Sequence, residues 1–123
     1  MRLNLSQKKR AYLKGHWGEW MAAFYLRLKG YKVLESRLQT PLGEIDLLVR
    51  KGKTVIAVEV KSRKTIEEAA WALTPFQKKR IERALLYYLA RKSPPHHYRF
   101  DVVLIAPWKW PHHIPGAWSS SFY

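Results

Sequence analysis

Two runs, Gly43-Glu44-Ile45-Asp46-Leu47-Leu48-Val49 and Val55-Ile56-Ala57-Val58-Glu59-Val60-Lys61, decide how this chain folds. Both are strand-like in their aliphatic and β-branched content. The basic, Gly-containing segment Arg50-Lys51-Gly52-Lys53-Thr54 between them reads as a hairpin turn. Each run carries charge where a buried strand should have none. A carboxylate or ammonium among Val, Ile and Leu costs several kcal/mol unless it is paired or metal-bound, so Asp46, Glu59 and Lys61 need a reason. Side chains alternate along a strand, which puts Glu59 and Lys61 on one face, roughly 7 Å apart. Asp46 shares a face with Glu44 on the preceding strand. A four-residue loop at 51–54 sets Asp46 opposite Glu59, whereas a two-residue loop at Lys51-Gly52 sets Glu44 there and Asp46 on the diagonal. Either register keeps the acids together, because cross-strand neighbours share a face.

Two carboxylates and a lysine on one patch suit a hard divalent cation, Mg²⁺ or Mn²⁺, beside a phosphate. Mg²⁺ takes one or two carboxylates and fills its remaining positions with water and phosphate oxygens. Such an ion lowers the pKa of a bound water and neutralises phosphate charge. The lysine supplies a compact point charge for the attacking hydroxide or the transition state.

The charge balance points the same way. The chain has 123 residues, enough for one modest core, and 47% apolar with 26% charged residues is ordinary globular composition. Lys and Arg number 23 against 9 Asp and Glu, a formal +14, and such a surface seeks polyanions. Nucleic acid comes first and an anionic membrane second. No apolar run approaches the roughly 18 residues that span a bilayer, and the N-terminal segment does not lead into a secretory signal. With no cysteine there is neither a disulfide framework nor a thiolate metal site, so a cytoplasmic protein is expected.

Outward from the hairpin, Ser6 is placed to cap a first helix running to about Lys29. Leu13, Trp17, Trp20, Phe24 and Leu28 recur at helical steps and predict its buried face, with Trp17 and Trp20 in the core. Beside them Ala11, Gly15, Gly18 and Ala22 form a stripe of small residues with Glu19 at its border. Interior glycines cost a helix roughly 1 kcal/mol each, so the stripe predicts a close backbone approach. Gly30 ends the helix, and 31–37 reads as a strand. Thr65 and Glu68 fit a capping box for a short helix, with a loop as the alternative. Thr74-Pro75-Phe76-Gln77 opens a better helix, whose apolar side is Phe76, Ile81, Ala84, Leu85, Tyr88 and Leu89. Ser93-Pro94-Pro95 stops it, and 99–106 is a final strand. The order is α-β-β-β-α-β, an α/β fold in one domain over residues 1–106. Residues 107–123 are a Pro-, Trp- and His-rich tail with no period, packing on that domain or extending from it.

Taken in order, Gly15-His16-Trp17-Gly18-Glu19-Trp20-Met21-Ala22, Gly43-Glu44-Ile45-Asp46, Val58-Glu59-Val60-Lys61-Ser62-Arg63 and Arg99-Phe100-Asp101-Val102-Val103 resemble the YraN family. These are small bacterial proteins of the PD-(D/E)xK nuclease superfamily, similar to archaeal Holliday-junction resolvases. The resemblance implies a restriction-endonuclease-like core, a mixed sheet flanked by helices, with Asp46, Glu59 and Lys61 as the catalytic constellation. It also implies that Glu19 is the extra acidic residue of resolvase-type members, joining Asp46 and Glu59 as a metal ligand. Ile45 stands where the superfamily's eponymous proline would be, Ala57 where a bulkier apolar residue is usual, and Ser36 where Asn is common.

The remaining polar residues sort by simpler arguments. Arg63 and Lys64, with Lys78, Lys79 and Arg80 on the last helix, are expected to face backbone phosphates. Glu44 is expected outside the core site as a turn-proximal partner. Gln77 completes a capping box unaided, though resolvase-like relatives place a polar residue near it. Asp101 beside Arg99 is expected to be a structural salt bridge. His96-His97 and His112-His113 are adjacent pairs, whose neighbours point opposite ways on an extended chain, and no zinc site is expected. Trp108, Trp110 and Trp118 are expected to seal a sheet edge rather than stack on bases. These readings predict a Mg²⁺- or Mn²⁺-dependent endonuclease acting on branched or structured DNA. The alternatives are a non-catalytic nucleic-acid-binding protein of the same fold, and an adaptor working through its aromatic tail. DNA against RNA, and monomer against homodimer, stay open.

Overall fold

The hairpin forms as its sequence requires. In the computed structural model, which describes residues 5–92 and 97–120 and the side chains from residue 16 onward, β2 (Gly43–Lys51) and β3 (Thr54–Ser62) pair antiparallel. Lys51 faces Thr54 across a tight turn in which Gly52 takes a φ of +60°, a left-handed value that glycine adopts without strain. The ladder runs through Arg50–Val55, Val49–Ile56, Leu48–Ala57 and Leu47–Val58, so the next pair in register is Asp46 with Glu59. This is the register expected of the longer loop, reached through a shorter turn.

The sheet has five strands in the order β1-β2-β3-β4-β5, with β1 at Lys32–Thr40, β4 at His97–Ile105 and β5 at His112–Trp118. β3 and β4 are parallel and every other neighbour is antiparallel. The β3–β4 crossover carries α2 (Ile66–Ala70) and α3 (Pro75–Leu89). One sheet face packs Leu47, Val49, Ile56, Val58, Val103 and Ile105 against Ala22, Ala23 and Leu26 of α1 (Leu5–Leu28). The other packs Ile45, Leu48, Val55, Ala57 and Phe100 against Ile81, Ala84 and Leu85 of α3. Helices thus cover both faces of a mixed sheet. Both helix starts in the crossover are capped as their sequences imply. Thr65 Oγ1 accepts from Glu68 N at 3.1 Å, and Thr74 and Gln77 close a reciprocal capping box.

The first helix packs the other way round from its periodicity. Trp17, Trp20, Phe24 and Leu28 are 57–74% exposed, while Ala22 and Leu26 are fully buried. The small-residue stripe wins because it allows the closer approach: a Cβ added at Gly18 would lie 3.3 Å from Ser62 Cβ. Trp17 and Trp20 are therefore surface residues. The side chains of Leu13 and Ser6 lie outside the described ones, as does the Ser93-Pro94-Pro95-His96 segment. On α3, Phe76 is also exposed, while Ile81, Ala84 and Leu85 are buried as expected.

The segment after β4, which has no sequence period, contains an edge strand. β5 tolerates Pro115 because an edge leaves its missing N–H without consequence, and Gly116 at φ +58° accompanies a shift in the β4–β5 register. Trp118 stacks on Phe100 at 5.1 Å between centroids and does seal this edge. Trp108 and Trp110 do not: both are exposed.

Candidate active site

The expected acids lie where the β2–β3 ladder ends. Beyond Leu47–Val58 the strand pair is carried on by a side chain, with Val60 N donating to Asp46 Oδ2 at 2.9 Å. Alternation also breaks here, since Ile45 packs on the α3 side while Leu47 packs on the α1 side. At the same level of β1, between Ser36–Leu47 and Leu38–Ile45, Arg37 holds a φ of +55°, a strained value for a residue with a Cβ.

Asp46, Glu59 and Lys61 come together. Glu59 and Lys61 share a face of β3, with Lys61 Nζ 3.4 Å from Glu59 Oε1 and both side chains only 11–13% exposed. Burial pushes both carboxyls up from their ordinary values. For Glu59 the neighbouring Asp46 charge adds to burial, Lys61 only partly offsets them, and the carboxyl reaches about 8. Asp46 is raised by burial against the lowering effects of the Val60 N–H, the Glu59 carboxyl and Lys61. The physical picture is a pair sharing a proton, with Glu59 keeping it and donating to Asp46.

These residues open onto a cleft of about 440 Å³ lined by Glu44, Asp46, Glu59, Gln77 and Arg80, together with Phe76. Gly43 makes the cleft's back wall possible. A Cβ there would sit 2.9 Å from the Arg80 carbonyl oxygen, so only glycine lets β2 start this close to α3. Gln77 serves two positions at once, its Oε1 accepting from Thr74 N at 3.2 Å while its side chain lines the cleft.

Glu19 approaches from the opposite side. It is on α1, 3.8 Å from Arg37 Nε, and its carboxyl is raised by burial and then by the Asp46 charge, against Arg37 and His16. It therefore feels Asp46, yet among the described residues no three acidic or histidine side chains cluster tightly enough to hold an ion together. The Asp46–Glu59 pair is the compact part. Two carboxylates suffice for Mg²⁺ or Mn²⁺, which take the remaining ligands from water and phosphate, so the residues fit such an ion.

The basic candidates divide. Arg80 lines the cleft and lies over the Phe76 ring at 5.9 Å. Lys78 points elsewhere, 5.8 Å over the Trp118 ring, and Lys79 is exposed. Arg63 and Lys64 are exposed just past Lys61, with Arg63 Nη1 donating to Ser62 O. Arg37 escaped sequence reasoning, since a basic residue on an edge strand reads as solvated. Only its unusual φ and its pairing with Glu19 mark it.

Asp101 is the structural acid it was expected to be. It is fully buried on β4 and takes Arg99 Nε at 2.7 Å and Nη2 at 2.9 Å, the Gly116 N–H at 2.9 Å, and His113 Nε2 at 2.8 Å. Arg99 also donates to Tyr31 Oη at 3.0 Å.

Comparison with known proteins follows the same lines. The profile of a family described as uncharacterised protein family UPF0102 matches residues 18–105, which span α1 from Gly18 through β4 and include the acids and Lys61. A UPF0102 protein of Parvibaculum lavamentivorans is 50% identical over 112 residues, covering 88% of this chain and 83% of that protein. One from Paramagnetospirillum magneticum is 48% identical with 88% of each chain covered, and one from Chelativorans sp. 46% with 92% and 93% covered.

Proposed function

We propose that this chain, which belongs to the uncharacterised protein family UPF0102, is a divalent-metal-dependent endonuclease that hydrolyses phosphodiester bonds in branched or otherwise structured DNA. The observation that carries the reading is the Asp46–Glu59 pair: two largely buried acids side by side at a cleft, with Lys61 as their near cation. A fold gains little from such a pair, because the Asp46 charge raises the cost of ionising Glu59 and Lys61 only partly offsets it. Incompletely compensated acids at a cleft are the mark of a site kept for chemistry.

Asp46 and Glu59 are the ligands for Mg²⁺ or Mn²⁺, with Glu19 able to add its charge from α1. The ion, when bound, supplies a water of lowered pKa and a counter-charge for the phosphate. The chain's own groups do the rest. Val60 N–H fixes the Asp46 carboxylate, so the ligand oxygens are oriented before any ion arrives. Lys61, held on the same face as Glu59, directs positive charge to the nucleophile and the developing pentacovalent phosphate. Arg80 in the cleft, with Arg63 and Lys64 beyond β3, holds flanking phosphates, and the +14 charge draws in the polyanion from a distance. No described helix is long and apolar enough to cross a membrane.

Purified protein with Mn²⁺, incubated with labelled linear, flap and four-way-junction DNA, tests the reading. Nicking of a branched substrate that falls about 10²–10³-fold in Lys61→Ala supports it. Tight, salt-sensitive DNA binding with no nicking under any divalent ion would leave a DNA-binding protein of the same fold.

A further inference from the structure

The outward face of α1 is the largest feature that the catalytic cleft leaves unexplained. Trp20 is 74% exposed and Phe24 57%, and Arg27 follows one helical turn on. Large aromatic side chains standing free on a strongly cationic protein are costly unless something covers them. These three line a groove of about 410 Å³ between α1 and β1, with Arg37 and Ser36 on the far wall and Glu19 at its inner end. Glu19 and Arg37 connect this groove to the acids. Glu19 lies within electrostatic reach of Asp46, and Arg37 faces Asp46 in the β1–β2 register.

We infer that this groove takes an unpaired nucleotide of the DNA strand next to the scissile phosphate, its base on Trp20 and Phe24 and its phosphates on Arg27 and Arg37. The inference deepens the nuclease reading and rests on it for where cleavage falls. Aromatic faces bind bases of any sequence, but only bases released from a duplex stack, so the groove selects single-stranded arms. Two aromatic rings with one arginine a turn further along the same helix and a second on the facing strand match a base with its backbone, whereas a wholly apolar partner would leave both cations unused. Arg37 also screens Glu19 at 3.8 Å, which lets an anionic strand pass that carboxylate on its way to the cleft.

The test is a binding measurement in EDTA, where cleavage cannot contribute, so it stands or falls separately from nuclease activity. Fluorescence anisotropy would compare wild type with Trp20→Ala, Trp20→Phe and Phe24→Ala on a blunt duplex and on the same duplex with a single-stranded arm. Trp108→Ala, which removes an exposed tryptophan elsewhere, is the control. Wild type should prefer the armed duplex. Trp20→Ala and Phe24→Ala should each lose about 10-fold on it and less than about twofold on the blunt one. Trp20→Phe should recover most of the loss, and Trp108→Ala should behave as wild type. Equal losses on both DNAs, or none on either, overturn the inference. So does a wild-type dimer by light scattering that Trp20→Ala dissociates, an outcome that assigns the face to a second copy of this chain.

Discussion

Asp101 on β4 and the Asp46–Glu59 pair on β2 and β3 are acids of one sheet treated in opposite ways. Burial pushes the Asp101 carboxyl up, but Arg99, His113 and the Gly116 N–H outweigh it and hold the group at about 2. Asp46 and Glu59 are less deeply buried than Asp101, yet they meet too few donors and both rise. Partners, more than depth, separate an acid that holds the fold together from acids that the fold must tolerate. What matters is whether the site spends its hydrogen bonds on the charge or leaves the charge for a ligand.

The contrast breaks most visibly in activity. Asp46→Ala or Glu59→Ala should take cleavage of branched DNA below detection while DNA affinity holds, because neither carboxyl is a phosphate-binding group. Lys61→Ala should lose about 10²–10³-fold in cleavage rate, the scale of removing one group that stabilises transition-state charge. Gel-based nicking alongside anisotropy separates the two. If an Asp46 variant cleaves normally, the acids are not alike in kind to what the contrast supposes.

Stability gives the next effect, with the roles reversed. Asp101→Ala leaves the buried His113 and the Gly116 N–H without their acceptor and the partly exposed Arg99 without its main partner, and should cost about 3–5 kcal/mol in urea unfolding. That is a large part of the total for a domain of this size. Asp46→Asn keeps an oxygen for the Val60 N–H and should cost nothing at neutral pH.

A smaller test uses the ion itself. Mn²⁺ at about 100 times its dissociation constant adds about 2.7 kcal/mol to the folded state, a rise of about 10 °C in Tm. Wild type and Asp101→Asn should both show that rise, and Asp46→Ala should not.

The pH profile sharpens the comparison further. Asp101 has a depressed folded pKa, so its stabilisation is complete above the unfolded value of 3.8 and is lost as pH falls towards about 2. Glu59 has a raised folded pKa, so the unfolded chain releases that proton first. Stability therefore declines as pH rises from 4.5 to about 8. Without metal, thermal stability should peak near the point where these limbs meet, at about pH 4–5. Glu59→Gln should make the alkaline limb shallower without abolishing it, since Asp46 and Glu19 are raised as well, and should leave the acid limb alone, whereas Asp101→Asn should flatten the acid limb. The smallest expected change is at Lys79, exposed on α3: its loss should weaken DNA binding about equally for all sequences and lower the salt slope by about 1.

Much of this architecture was legible in the chain because strand alternation is a local rule. Period two along 55–61, with a glycine in the turn, was enough to put Glu59 and Lys61 on one face with Asp46 and Glu44 nearby, but the choice between Asp46 and Glu44 opposite Glu59 waited on the turn that the structure adopts. The two Thr caps were equally plain, since each capping contact spans three residues. Asp101 was legible in kind, an acid two residues from an arginine on a strand, but its further partners Tyr31, His113 and Gly116 come from distant elements.

The chain by itself determined the α-β-β-β-α-β order of its first 106 residues, the gathering of charged residues on the β2–β3 hairpin and the cationic composition, all consequences of local spacing and composition. Only the tertiary structure decided which face of α1 is buried, that a proline-containing tail adds β5, and that Arg37 bends opposite Asp46. The physical reason is shared. An aromatic stripe and a small-residue stripe both have helical period, and the choice between them depends on how closely Ser62 and Val60 approach Gly18. An edge strand without alternation exists because Phe100 and Asp101 on β4 offer it a ring and a carboxylate to close upon.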